Sequence, residues 1–313
     1  MTHAPDRAIR PVDEQPDESW LPFALVDVFA ERPLQGNPLA VVDLSERTAE
    51  VPDEWFRAVA RETNQAETTF VLAGDERATR VLRSFTAAGT EVFGAGHNSL
   101  GAWWWLLQTG RVDASAPLTQ RIGDSHLPVL VEDDGALRLV HDSPTYGALV
   151  DPQTLAAVLG LGGASVLADP APQVVDTGAA HVMLLVADRE SLDQADPDLA
   201  ALAQLTVAHG AEGAYLAWID ADAARPTTHT RFFNPAMGLD EDIATGTAAG
   251  PLGAWLRHAG RIAGDELIIV QGESLGRPSR IRVTLGSDST PSVIGGARLA
   301  ATGLLVAPWT NGA

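Results

Sequence analysis

Residues 96–111 can be laid over residues 246–261, and no other feature constrains the fold of this chain as much as that repeat. Gly96 falls on Gly246, Trp105 on Trp255, Leu106 on Leu256, Gly110 on Gly260 and Arg111 on Arg261. Upstream, Glu91 falls on Glu241 in the same register. With small gaps Arg83-Ser84-Phe85 falls on Arg231-Phe232-Phe233, and Ala66-Glu67 on Ala211-Glu212. An ordered repeat of this kind predicts two similar α/β units, each with a strand, a glycine turn and a helix that starts at the glycine. If a pseudo-two-fold relates the units, both helix N-termini open into one cleft. A length of 313 residues has room for two such units.

The local pattern agrees with this plan. Buried strands are expected at Phe23 to Phe29 and Leu39 to Val42, on either side of the turn Arg32 to Pro38, and a helix at Asp53 to Glu62 after Pro52. Strands follow at Thr68 to Leu72, Thr79 to Phe85, Leu127 to Val131 and Leu137 to His141. Many strands with occasional helices imply an α+β chain rather than a strictly alternating parallel sheet. Trp103 to Trp105 and Trp255 are expected to be core residues of the two central helices. We expect residues 1–19 to be a disordered acidic tail, residues 20–145 with 296–313 to form the first α/β domain, and residues 146–295 the second.

Composition removes several chemistries. There is no cysteine, which excludes disulfides, thiolate nucleophiles and two-thiol racemisation. There is no lysine either, so the 21 cationic side chains are all arginine, and neither a Schiff base nor a Walker A loop can form. A net charge of −20 repels phosphate backbones and anionic lipid, so neither nucleic acid nor membrane is an expected partner. The first twenty residues have no apolar targeting core, and no apolar run approaches the length of a membrane span, which points to the cytoplasm. The eight histidines lack close metal-ligand spacing, and no metal or cofactor is expected.

Chemistry can concentrate at the two glycine-opened helix ends, Gly94-Ala95-Gly96-His97-Asn98-Ser99 and Asp242-Ile243-Ala244-Thr245-Gly246-Thr247. Free backbone N–H groups and the positive end of a helix dipole suit a carboxylate or a developing oxyanion. The titratable candidates around them are Glu67, Glu91, His97, Asp242 and Glu212. A carboxyl in an apolar enclosure has its pKa raised and can relay a proton, and a neutral imidazole can donate or accept near pH 7. Two other motifs fail on context. Gly272-Glu273-Ser274-Leu275-Gly276 matches a hydrolase nucleophile elbow, but a strand follows it and no histidine lies beyond His258. Gly94, Gly96 and Gly101 miss the dinucleotide-binding spacing.

Five segments taken together resemble PhzF-like proteins, the phenazine-biosynthesis isomerase family. They are Gln35 to Val42, Glu67 to Leu72, Phe93 to His97, Glu241 to Gly250, and Gln271-Gly272 with Gly276 to Ser279. The resemblance implies a diaminopimelate-epimerase-like fold: two pseudo-symmetric α/β domains, each a curled sheet around a central helix. It also implies cofactor-free isomerisation by general acid/base catalysis on a small unsaturated cyclic carboxylate. Carried over by motif, Glu67 would be the proton shuttle, and His97 and Asp242 would hold or polarise the substrate. Gly96, Asn98, Gly246 and Thr247 would line its binding site, with Asn98 standing where the phenazine enzyme has proline and Thr247 where it has serine. A homodimer is expected by the same analogy. The competing readings are a lyase or C–C hydrolase using the same Glu67, and a non-catalytic small-acid binder.

Overall fold

A computed structural model describes residues 20–47, 50–220 and 225–307. The tail expected to be disordered lies outside the described residues. The first half runs β1 (Trp20–Val28), β2 (Asn37–Asp43), α1 (Asp53–Thr63), β3 (Glu67–Ala73), β4 (Arg80–Thr86), β5 (Glu91–Val92), α2 (His97–Gln108), β6 (Leu118–Ile122) and β7 (Ser125–Val131). Linking elements follow: β8 (Leu137–Val140), β9 (Thr145–Leu149) and α3 (Pro152–Val158). The second half then runs β10 (Gln173–Asp176), β11 (Ala180–Leu185), α4 (Arg189–Gln194), α5 (Leu199–Ala208), β12 (Gly213–Asp220), β13 (Thr227–Asn234), β14 (Leu239–Asp242), α6 (Gly246–His258), β15 (Glu266–Gln271) and β16 (Ser279–Leu285). Two closing strands, β17 (Pro291–Gly295) and β18 (Ala297–Val306), return to β8 and β1 respectively.

The repeat read from the sequence is present in the strand pairing. In the first half β1/β2 is antiparallel, β2/β3 parallel, β3/β4 antiparallel, β4/β5 antiparallel, β4/β6 parallel and β6/β7 antiparallel. In the second half β10/β11, β11/β12, β12/β13, β13/β14, β13/β15 and β15/β16 follow the same order of senses. Each parallel step needs a crossover. Helix α1 and the pair α4 and α5 supply the outer ones, while α2 and α6 supply the inner ones. The sheets curl around those inner helices, which is why Trp103 and Trp255 are fully buried. Side chains of this size stabilise by about 1.5–3 kcal/mol each when removed from water. Trp104 differs from the expected core role: it is half-buried and faces the seam between the halves.

Both inner helices end alike. Gly110 and Gly260 sit at φ +67° and +68°, and the next amides, Arg111 N and Arg261 N, donate back to Leu106 O and Leu256 O at 2.9 and 2.8 Å. Left-handed backbone of this kind closes a helix by satisfying carbonyls that its last turn leaves free, and it favours glycine. The aligned glycines and arginines of the repeat are therefore matched helix stops. Outer layers complete each half: Phe56 of α1 packs on Phe70 and Phe85 of the sheet, and Leu155, Leu192 and Leu202 anchor α3, α4 and α5. Among the described residues no helix is long and apolar enough to cross a membrane.

Candidate active site

Glu67 opens β3, between Leu39 of β2 and Thr86 of β4. Helix α1 ends at Asn64 in a left-handed turn, and the chain re-enters the sheet three residues later with Glu67 at the strand's leading edge. Burial raises the Glu67 carboxyl to about 8, and the nearby charge of Asp242 adds to the rise. Its Oε2 is buried with no hydrogen-bond partner among the described residues. Such an atom is uncommon in a folded chain and costs stability unless something else meets it.

His97 is the first residue of α2, a helix that packs against β3. Burial lowers its imidazole to about 4, so the ring is neutral at neutral pH. Its Nε2 is also buried without a partner among the described residues.

Asp242 comes from the other half, at the end of β14. Its Oδ1 accepts from Asn37 Nδ2 at 3.0 Å and its Oδ2 from Thr245 Oγ1 at 2.6 Å. Burial raises its pKa, and these bonds, with the Ile243 and Ala244 amides, pull it back down. Gln271 completes the mount, donating to Asp242 O at 2.8 Å and Thr245 Oγ1 at 3.0 Å, and accepting from Tyr215 Oη at 2.7 Å. Beyond Thr245, α6 begins at buried Gly246 and exposed Thr247. First-turn amides of a helix have no carbonyl of their own helix to bond, so they face whatever enters the cleft.

Three expected residues are placed differently from the rest. Asn98 is turned inward: its Oδ1 accepts from Gly96 N at 2.7 Å and Ser99 N at 2.8 Å, and its Nδ2 donates to Gly94 O and Ser84 Oγ. It braces the turn that presents His97, and the Gly96 amide expected to face substrate is spent on that brace. Glu91 does not join the cleft; both of its oxygens hold Arg83, each at 2.7 Å. Glu212 is exposed, its carboxyl raised by partial burial and then by Asp176 rather than by any cleft residue. The Gly272 to Gly276 segment forms a tight turn between antiparallel β15 and β16, with Ser274 Oγ donating to Glu241 at 2.6 Å. That geometry has no place for a nucleophile elbow.

Sequence reasoning missed Asn37, Thr245 and Gln271. Asn37 is the first residue of β2, is 1% exposed, and also donates to Ala244 O at 3.0 Å while its Oδ1 has no partner among the described residues. Its signal was present in the turn Gln35-Gly36-Asn37-Pro38. Gly36 takes φ +65°, and a Cβ there would meet Val28 O. That tight turn aims Asn37 across the halves, where Arg277 grips the same turn through Gly36 O at 2.9 Å and Asp27 Oδ1 at 2.6 Å.

Across the halves the Glu67 carboxyl, raised toward neutrality, thus feels the charge of Asp242, which four donors from the chain fix, while the neutral His97 imidazole and Gly246 stand at the starts of the two inner helices. A carboxyl of this kind can give and take a proton, and a helix N-terminus can receive an anion. Among the described residues no three side chains of metal-ligating type cluster.

Residues 26–302 match the phenazine biosynthesis-like protein family, PhzC-PhzF. The trans-2,3-dihydro-3-hydroxyanthranilate isomerase of Pseudomonas aeruginosa is 33% identical, the match covering 83% of this chain and 88% of that enzyme. An uncharacterized isomerase of Clostridium acetobutylicum is 28% identical over 86% of this chain and 91% of its own length. Among solved structures, a PhzF-family protein of Bacillus anthracis superposes with a TM-score of 0.81 at 23% identity, covering 92% of this chain and 99% of that one. A predicted epimerase of Pseudomonas aeruginosa gives 0.74 at 31% identity, covering 92% and 99%.

Proposed function

This chain belongs to the phenazine biosynthesis-like family and is an isomerase, and from that premise we propose that it moves a proton along a small unsaturated cyclic carboxylate without a cofactor, with Glu67 as the carrier. The carrying observation is the Glu67 carboxyl itself: buried, with one oxygen unpartnered, and close enough to Asp242 to feel its charge. A carboxyl poised to about 8 gives and takes a proton with little penalty at neutral pH, which a shuttle requires in both directions. In this reading the ionised Glu67 removes a proton from a ring carbon next to the unsaturation. The electron pair spreads toward the substrate carboxylate, and the same proton returns at the far end of the conjugated system.

The remaining residues bind and orient. The Gly246 amide and the Thr247 hydroxyl and amide receive the carboxylate. His97 supplies a neutral hydrogen-bond partner that does not compete for charge, and Asp242, held by Asn37 and Thr245, faces a substrate amine or hydroxyl. The ring carries the amino and hydroxyl groups of a dihydro-hydroxyanthranilate, the substrate class in the name of the Pseudomonas aeruginosa relative, and two chains form a homodimer.

The test is proton exchange. Incubated in heavy water with an unsaturated ring carboxylate of this class, the enzyme should yield a product of the substrate's formula, differing in mass only by deuterium taken up at carbon. Glu67→Gln should bind the acid and abolish that uptake. A product of lower mass would replace isomerisation with bond cleavage, and binding without exchange by the unsubstituted chain would reduce the cleft to a small-acid receptor.

A further inference from the structure

A second feature of the molecule lies apart from Glu67, His97 and Asp242. A cavity of about 460 Å³ runs along the seam between the halves, walled by Trp104 and Gln108 of α2 on one side and by the outward face of β15, β16 and β17 on the other. Four arginines reach it, Arg225, Arg280, Arg282 and Arg298, together with the carboxylates of Glu31 and Asp134. Arg280 and Arg282 alternate along β16 and so share its outer face, where Arg282 stands between Ile268 of β15 and Ile294 of β17.

These arginines are loosely paired. Elsewhere among the described residues arginine–carboxylate contacts run from 2.6 Å for Arg277–Asp27 to 3.1 Å for Arg189–Glu273. In the cavity Arg225 stands 3.7 Å from Glu266, Arg280 3.7 Å from Glu31, and Arg282 3.6 Å from both Glu132 and Asp134. None of these is a hydrogen bond by distance. Glu132 is already engaged by Arg138 at 2.7 Å, so it offers Arg282 little. Among the described residues Arg298 bonds only backbone carbonyls, Glu31 O at 3.1 Å and Ala297 O at 2.8 Å. Planar guanidinium forks with open donors match anions bearing several oxygens, which they grip bidentately.

We propose that this seam cavity is a binding site for a compact polyanion, a small molecule carrying a phosphate, diphosphate or polycarboxylate group, held by Arg280, Arg282 and Arg298 with its less polar part against Trp104 and Ile294. The cavity is too small for a macromolecule, and the net charge of −20 repels extended polyanions. The site draws on both halves, since Arg298 lies on β18 beside β1 and Arg280 and Arg282 lie on β16.

Inorganic pyrophosphate and citrate are the probes, titrated calorimetrically into the full chain without substrate, so that the outcome is independent of the isomerase reading. Saturable one-to-one binding of either is expected, the preferred probe identifying phosphate or carboxylate as the natural group. Arg280→Gln and Arg282→Gln should each weaken it roughly 10-fold or more, Arg282→Lys should weaken it nearly as much because the fork is lost, and Arg77→Gln on the far surface should change it less than about twofold. Unchanged circular dichroism would show that the variants fold. No saturable binding of either probe, or equal weakening by Arg77→Gln, would overturn the proposal, as would substitutions that act only by altering oligomeric state.

Discussion

At the flank of each inner helix an arginine clamps a glutamate: Arg83 holds Glu91 through two bonds of 2.7 Å, and Arg231 holds Glu241 at 2.8 and 2.7 Å. Each guanidinium also lies over a phenylalanine that the repeat aligns, Phe85 at 5.2 Å and Phe233 at 4.9 Å. One strand away the halves part company. Glu67 at the start of β3 is enclosed and poised to about 8, whereas its aligned partner Glu212, next to the start of β12, is exposed. Asn37, whose amide reaches Asp242, has no counterpart amide in the second half, where the turn into β11 carries Thr177 and Gly178. Groups that hold a helix in its sheet are the same in both halves because both need the same packing. Groups assigned to the cleft differ, as the proposed mechanism requires, since it needs one proton carrier.

The sharpest way to break this comparison is to make the same substitution on both sides. Glu67→Gln should lower solvent deuterium exchange into substrate by roughly 10²–10⁴-fold, the span general acid/base groups contribute. Glu212→Gln should leave it within about twofold. Equal losses would mean that the second half also supplies a carrier and that the specialisation argued here is false.

Asn37→Ala comes next. It removes one donor that holds Asp242 in its charged form, so the acidic limb of the pH–rate profile should move to higher pH and exchange at neutral pH should fall about 10-fold. A loss with no movement of the profile would assign Asn37 to packing alone.

The clamps test the shared side. Arg231→Met should cost about 2–3 kcal/mol and Arg83→Met about 1–2 kcal/mol in urea denaturation, since each strands a partly buried glutamate. Arg231 should cost more because it also donates to Leu192 O and Ala195 O, at 3.2 and 2.7 Å, and its pair is less exposed.

Much of this division was legible in the sequence. The register of Gly96 with Gly246 and of Arg111 with Arg261 was enough to predict two similar units, each with a helix that starts at a glycine, and the structure adds that Gly110 and Gly260 are matched left-handed helix stops. Glu67, His97 and Asp242 could be nominated from their motifs. What the sequence did not carry was direction. Asn98 and Asn37 both stand within two residues of a glycine, yet one turns inward to brace its own loop and the other crosses to the opposite half. Glu91 and Glu67 are both glutamates at strand starts, yet Glu91 is held by Arg83 while Oε2 of Glu67 is buried without a partner among the described residues. The loosely paired arginines at the seam gave no local signal, since three of them are spread over residues 280–298 and the wall they face belongs to α2.

The last expected effect is thermodynamic and concerns Glu67 alone. The folded-state pKa of Glu67, about 8, lies above its ordinary value of 4.5, so the native chain binds this proton more tightly than the unfolded chain does. Its contribution to stability is therefore fully present below about 4.5 and is lost as pH rises toward 8. His97, lowered to about 4, acts in the opposite sense between pH 6.5 and 4, so a melting curve of the unsubstituted chain mixes the two. The difference between that chain and Glu67→Gln isolates the carboxyl. Both are neutral at position 67 in acid and should melt together near pH 4.5, while above pH 8 the glutamine variant should melt higher, because it lacks the charge that burial disfavours. A constant offset across the range would show that Glu67 titrates normally, and the asymmetry between Glu67 and Glu212 would then rest on geometry without a proton to carry.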